Sequence, residues 1–160
     1  MPPNETPQQQ LDRFIDQFTP QIAVTARQAL AKMRRRYPTA WELVYDNYNA
    51  LAIGFSPSAR TSDGIFSIAL YPRWVSLFFL QARQQIPDPH GLFKGKGAVV
   101  RFIVLETAKV LDDPRVLQLM EHAVQCARVP FNPPFNPGDT RAMIIKSISA
   151  KQRPRTPASL

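Results

Sequence analysis

A chain of 160 residues carrying a net charge of +8, 44% hydrophobic and 20% charged, has the size and composition of one globular domain and is too short for two substantial cores. Every apolar run is interrupted by Ser, Pro or Arg well before the length that crosses a bilayer, which excludes a membrane-spanning helix. A single cysteine, Cys126, excludes an internal disulfide and a multi-cysteine zinc site; with "MPPNETPQQQ" lacking a cationic or apolar leader region, a reducing cytoplasm is the expected location.

Residues 1–19 read as an N-terminal extension in which "LDRFIDQF" forms a helical turn or two. In "PQIAVTARQALAKMRRRYP" the apolar residues Ile22, Ala26, Ala29, Leu30, Met33 and Tyr37 recur at three and four, the spacing of one helix face. Pro20 opens that helix, Pro38 closes it, and Arg34, Arg35 and Arg36 fall in its last turn, where cations suit the carbonyl end of the dipole. The period then changes to two. Trp41, Leu43 and Tyr45, followed by Leu51, Ile53 and Phe55 around Asp46–Asn49, predict a hairpin. "IFSIALY" and "WVSLFFL", split by Pro72 and Arg73, predict two more strands, and "AVVRFIVLE" a fifth. "DDPRVLQLMEHAVQCAR" predicts a helix capped by Asp before Pro114, with Val116, Met120, Ala123 and Ala127 on one face. "AMIIKSIS" predicts a short edge strand. The expected fold is α+β: an antiparallel sheet of about five strands, joined by short turns and packed by N-terminal and C-terminal helices.

Half of the excess positive charge, +4, lies in the last 30 residues, where Arg141, Lys146, Lys151, Arg153 and Arg155 face one acid, Asp139. That stretch is also rich in proline. The expected organisation is therefore one domain over 20–150 and a disordered basic tail over 151–160. Such a tail keeps a protein soluble, or makes weak, nonspecific contact with nucleic acid or an acidic protein.

In chain order, "WELVYDNYNALAIGFSP", "IFSIALYPRWVSLFFL", "IPDPHGLFKGKGAVVRFIVLE" and "IIKSISAKQRPR" resemble the YdhG-like domains of unknown function, some members of which are known as frataxin-like iron chaperones. The resemblance spans residues 20 to 155. It rests most on the "LYP" turn, the "DP" before the glycine-lysine loop, and the arginine in the following strand. It implies an α+β fold with an antiparallel sheet, brings no catalytic residue, and extends iron binding to some members only. The acids of this chain are scattered and form no acidic ridge; Asp88 and His90, with Glu106 or Glu121, are the residues that would have to converge on a metal.

No enzyme motif is present, and no cofactor is expected. There is no G-x-S-x-G. His122 and Cys126 stand four apart on the second predicted helix, where they read as a surface histidine beside a half-buried cysteine. "HGLFKGKGAVVRF" is not a Walker loop: Gly91 to Gly95 is one residue short, Gly97 stands where Ser or Thr belongs, and a strand follows. A weaker anion site remains. Gly95 and Gly97 free the backbone amides to converge, Lys94 and Lys96 add charge, and Arg101 alternates with Val99 and Ile103 toward the interior. A partly buried Arg101 needs an acceptor: Asp88, Glu106 or a bound anion. Among the aromatics of the sheet, Trp41, Tyr45, Tyr48, Phe78 and Phe79 read mainly as core, whereas Trp74, at the Pro72–Arg73 turn, sits at a rim where it can stack on a ligand. The candidate ligand site is thus Trp74, Asp88, His90, Lys94, Gly95, Lys96 and Arg101, in a non-enzymatic module for a small anion or metabolite. The alternative is a basic interaction protein using its tail and Arg34–Arg36.

Overall fold

A computed structural model describes residues 4–82, 86–95, 97, 99–131 and 142–157. Two helices open the chain, α1 (Pro7–Asp16) and α2 (Pro20–Arg36). Four strands follow: β1 (Trp41–Asp46), β2 (Leu51–Ser56), β3 (Phe66–Leu70) and β4 (Val75–Phe79). Then come β5 (Arg101–Leu105), α3 (Pro114–Cys126) and β6 (Met143–Ile148). The helix starts follow from capping chemistry. Thr6 and Gln9 form a reciprocal capping box, Thr19 accepts from the Ile22 amide, and Asp113 from the Arg115 amide, each followed by a proline in the first turn.

The sheet has six strands in the order β5-β4-β3-β2-β1-β6. The first five pair antiparallel, as expected. β6 lies parallel to β1 at the edge, so the sheet is mixed and not purely antiparallel. A parallel neighbour needs a long crossover, and the chain from β5 through α3 to β6 supplies it.

One sheet face carries the core. Ile53, Phe55, Phe66, Ile68, Leu77 and Phe79 alternate onto it, with Phe55, Phe66 and Phe79 fully buried. Phe66 meets Phe79 edge-on at 5.4 Å and stacks with Tyr37 at 5.3 Å. Burial lifts the Tyr37 hydroxyl to about 12. The helices cover this face through Ile22, Ala26, Leu30 and Met33 of α2 and Val116, Leu119, Met120 and Ala123 of α3. α1 is a full helix, not an accessory turn: Leu11, Phe14 and Ile15 are buried in the same core.

The same face of β1 also carries two acids, Glu42 and Asp46, on either side of Val44. Each meets an arginine, Glu42 one eight positions before it and Asp46 one 109 positions after it. Glu42 receives Arg34 Nη2 at 2.8 Å and Nε at 3.0 Å. Asp46 receives Arg155 Nη2 at 2.7 Å, with the two side chains only 5% and 4% exposed.

The arginine of that second pair lies within the expected tail, of which residues 158–160 lie outside the described residues. Residues 149–157 form a strap around the β1–β2 turn. The Ser149 amide and the Gln152 side chain donate to the Asp46 carbonyl, the Arg153 amide donates to the Tyr48 carbonyl at 2.9 Å, and Arg155 donates also to the Asn47 carbonyl. The Arg155 guanidinium lies over the Phe18 ring at 5.4 Å. Its Nε and Nη1 have no hydrogen-bond partner among the described residues. Breaking one side of such a buried pair costs roughly 3–5 kcal/mol, because the remaining charge stays desolvated.

Candidate functional site: a groove around Trp74

The strap ends beside the β3–β4 turn. There Tyr71 donates its amide to the Trp74 carbonyl at 2.9 Å, closing a tight turn with Pro72 and Arg73 at its centre. The fixed φ of proline suits the first central position, and the turn brings the flanking rings together. Tyr71 and Trp74 stack at 4.9 Å with planes 23° apart. Tyr71 is half-buried, which pushes its hydroxyl above the usual phenol value. Trp74 is 43% exposed, one of six large apolar side chains left open to solvent among the described residues.

Two grooves flank this ring pair, and both are bounded by Pro72, Arg73, Trp74 and Pro157. The first, of about 720 Å³, runs toward the start of α2 and the end of β5 at Glu106. The second, of about 530 Å³, runs over the strap to Arg153, Thr156 and Asn49. Both volumes are in the range of small-molecule sites. Arg73 makes no hydrogen bond or ion pair among the described residues. Among the described residues the Arg153 guanidinium reaches only the Asn49 side-chain oxygen Oδ1, at 3.5 Å, and pairs with no carboxylate. Two cations with unused donors thus border an exposed ring stack. Arg13, Arg27, Arg34, Arg36, Arg115 and Arg128 all meet acids, whereas Arg35, Arg60 and Arg101, like these two, form no ion pair among the described residues.

The structure does not bring the sequence-predicted site together. Trp74 lies beside the first residue of β4 and Arg101 opposite its last, since Val75 pairs with Leu105 and Phe79 with Arg101. Five residue steps along the strand, about 16 Å, separate them. Arg101 Nη1 donates to the Gly95 carbonyl at 2.7 Å and pairs with neither Asp88 nor Glu106. Asp88 is occupied otherwise: its two oxygens accept the Leu92 and Phe93 amides at 2.8 and 2.9 Å, which folds the loop. Lys94 pairs through its backbone with Phe102, so the glycine-lysine stretch extends the sheet edge at that point. Of the two glycines expected to free the backbone, Gly95 adopts φ of +101°, and a Cβ there would meet the Phe102 ring at 3.2 Å, whereas Gly97 takes no positive φ; Gly91 adopts φ of +63°. Lys96 lies outside the described residues.

His90 is exposed and borders a cleft of about 40 Å³ with Asp88, Arg115 and His122. The expectation for α3 is inverted there: His122 is half-buried and Cys126 exposed. Among the described residues, no three of His, Cys, Asp and Glu are grouped to hold a metal ion, so Asp88 and His90 do not converge with Glu106 or Glu121. The Arg34–Arg36 cluster is largely engaged: Arg34 with Glu42, and Arg36 with Asp112 and the Met120 sulfur. Of the tail, Arg155 is committed inside, whereas Lys151 and Arg153 are exposed.

Sequence reasoning placed Trp74 at a rim but missed Arg73 and Arg153 as its partners. Arg73 was legible as its chain neighbour. Arg153 was not, because the strap that delivers it is held by Asp46, 109 positions away from Arg155. No family model, curated protein or solved structure matches this chain. No helix among the described residues is long and apolar enough to cross a membrane.

Proposed function

We propose that the chain is a non-enzymatic binding module whose ligand is a small planar anion or metabolite, held at Trp74. The observation that supports this most is the stacked Tyr71–Trp74 pair, in a groove bordered by two arginines that form no ion pair among the described residues. An exposed indole offers a π-face on which a planar ligand lies, and guanidinium forks match carboxylate or phosphate oxygens. The Asn49 amide and Thr156 hydroxyl add donors and acceptors in the same groove. The site residues are Arg73, Trp74 and Arg153, with Tyr71 backing the indole. The YdhG-like assignment belongs to this proposal and rests on the residues that carry the resemblance.

A thermal-shift screen with benzoate, inorganic phosphate and nucleoside monophosphates tests it through ligand linkage. At least one planar anion should raise the melting temperature of the wild-type chain, and Trp74→Ala should remove that rise. A rise that persists in Trp74→Ala, or no rise with any member of the panel, would refute the reading.

A further inference from the structure

The shape of the site says more about the ligand than its charge does. This inference rests on the planar-anion reading of the same groove. A simple aromatic acid has one ring and one charge, and would need only one side of Trp74. Here Arg73 and Trp74 border both grooves, so the space beside the indole extends beyond one ring's worth. The strap-side groove is lined by the ring stack, by Asn49 and Thr156, and by Arg73 and Arg153. A ligand that used all of them would carry a flat heterocycle, a hydroxyl-bearing middle and a doubly charged anion.

We propose that the ligand is a nucleoside phosphate, its base stacked on Trp74 and its phosphate held between Arg73 and Arg153. Two guanidinium groups balance the charge of a phosphate monoester near neutral pH, where it approaches −2. They present paired N–H donors in the geometry that phosphate oxygens accept. Stacking on one open aromatic face tolerates any base, because every base has a π-face. The recognised chemistry is therefore base plus phosphate, with little discrimination among bases. The same unit occurs in a free nucleotide and in a single strand, and the second groove gives a neighbouring nucleotide of a strand a place to continue.

The test uses Trp fluorescence in a Trp41→Phe background, so that Trp74 is the only indole, with calorimetry on the wild-type chain as a second measurement independent of that variant. The probes are adenosine 5′-monophosphate, uridine 5′-monophosphate, adenosine, benzoate and a short single-stranded oligonucleotide. Both monophosphates should quench Trp74 with similar affinity, and adenosine should bind at least roughly tenfold more weakly, the loss expected for charged hydrogen bonds. Arg73→Ala with Arg153→Ala should reduce monophosphate affinity to that of adenosine. Tighter binding of the oligonucleotide that falls steeply with salt would identify a strand as the source; equal affinity per site for monophosphate and oligonucleotide would identify the free nucleotide. Benzoate binding without monophosphate binding would overturn this inference and leave the planar-anion reading standing. Adenosine binding as tightly as the monophosphate would overturn the phosphate assignment. Silence with every probe would overturn both readings.

Discussion

Two basic, turn-rich regions lie at opposite ends of the β4–β5 pair, and they use their charges differently. In the loop from Asp88 to Arg101, the carboxylate of Asp88 takes two backbone amides and the guanidinium of Arg101 takes a backbone carbonyl. The polar groups there hold the loop in shape. At the Trp74 end the corresponding task is done by a buried pair, Arg155 with Asp46, which pins the strap. Arg153, two residues away, and Arg73 are then left at the surface without an ion pair among the described residues. Net charge alone does not distinguish the two regions. What distinguishes them is which cations already have an acceptor.

The largest expected effect sharpens the division of labour between Arg155 and Arg153. Arg155→Ala leaves Asp46 buried without its partner, and should lower stability by roughly 3–5 kcal/mol, or the melting temperature by roughly 10 °C for a chain of this size. Arg153→Ala should change the melting temperature by only a degree or two. Equal losses in the two variants would erase the distinction. The same calculation changes the meaning of a tail truncation: deleting residues 151–160 removes a buried ion pair and one wall of the groove, so lost binding in that deletion cannot be credited to a free basic tail.

Next in size is Asp88→Ala, which strips the Leu92 and Phe93 amides of their acceptor. A loss of roughly 1–3 kcal/mol is expected in chemical denaturation, with ligand binding at Trp74 unchanged. Binding lost together with Asp88 would return the loop to the site. Trp74→Ala should do the converse. Its stability cost stays near roughly 1 kcal/mol, the value of an aromatic pair, while ligand response disappears.

The smallest effect is electrostatic and belongs to the loop end. Arg115, donating from its side chain and its backbone amide, holds the Asp113 carboxyl at about 2 against an ordinary 3.8. A depressed value in the folded chain means that its stabilisation is complete above the ordinary value and lost as pH falls through about 2. Asp113→Asn keeps a good helix cap and removes the charge. It should be slightly less stable than wild type at neutral pH, with the gap closing between 3.8 and about 2. A gap that is constant with pH would assign the cost to the cap instead of the charge.

Much of the architecture was legible locally. The three-and-four spacing of Ile22 to Met33, the alternation of β1 through β5, and Asp113 before Pro114 each depend on neighbours in the chain. What escaped depends on distance. β6 reads as an edge strand, but nothing within "AMIIKSIS" says that it joins β1 in parallel. Arg155 reads as one more solvated cation until the fold sets it against Asp46 and Phe18. Arg101 was rightly expected to seek an acceptor, yet the nearest one is a carbonyl supplied by the glycine turn itself. For the site, alternation and turn chemistry located Trp74; the grouping of Trp74 with Arg153 required the strap.

The central claim is that the Trp74 groove, and not the glycine-lysine loop, receives the ligand. Chemical-shift mapping of the ¹⁵N-labelled wild-type chain during titration with adenosine 5′-monophosphate and, separately, benzoate tests it most directly. The account predicts that the indole N–H of Trp74 and the amides of Arg73 and Arg153 move with the added ligand while those of Leu92, Phe93 and Gly95 stay in place. Movement of the loop amides with a stationary Trp74 indole would contradict it.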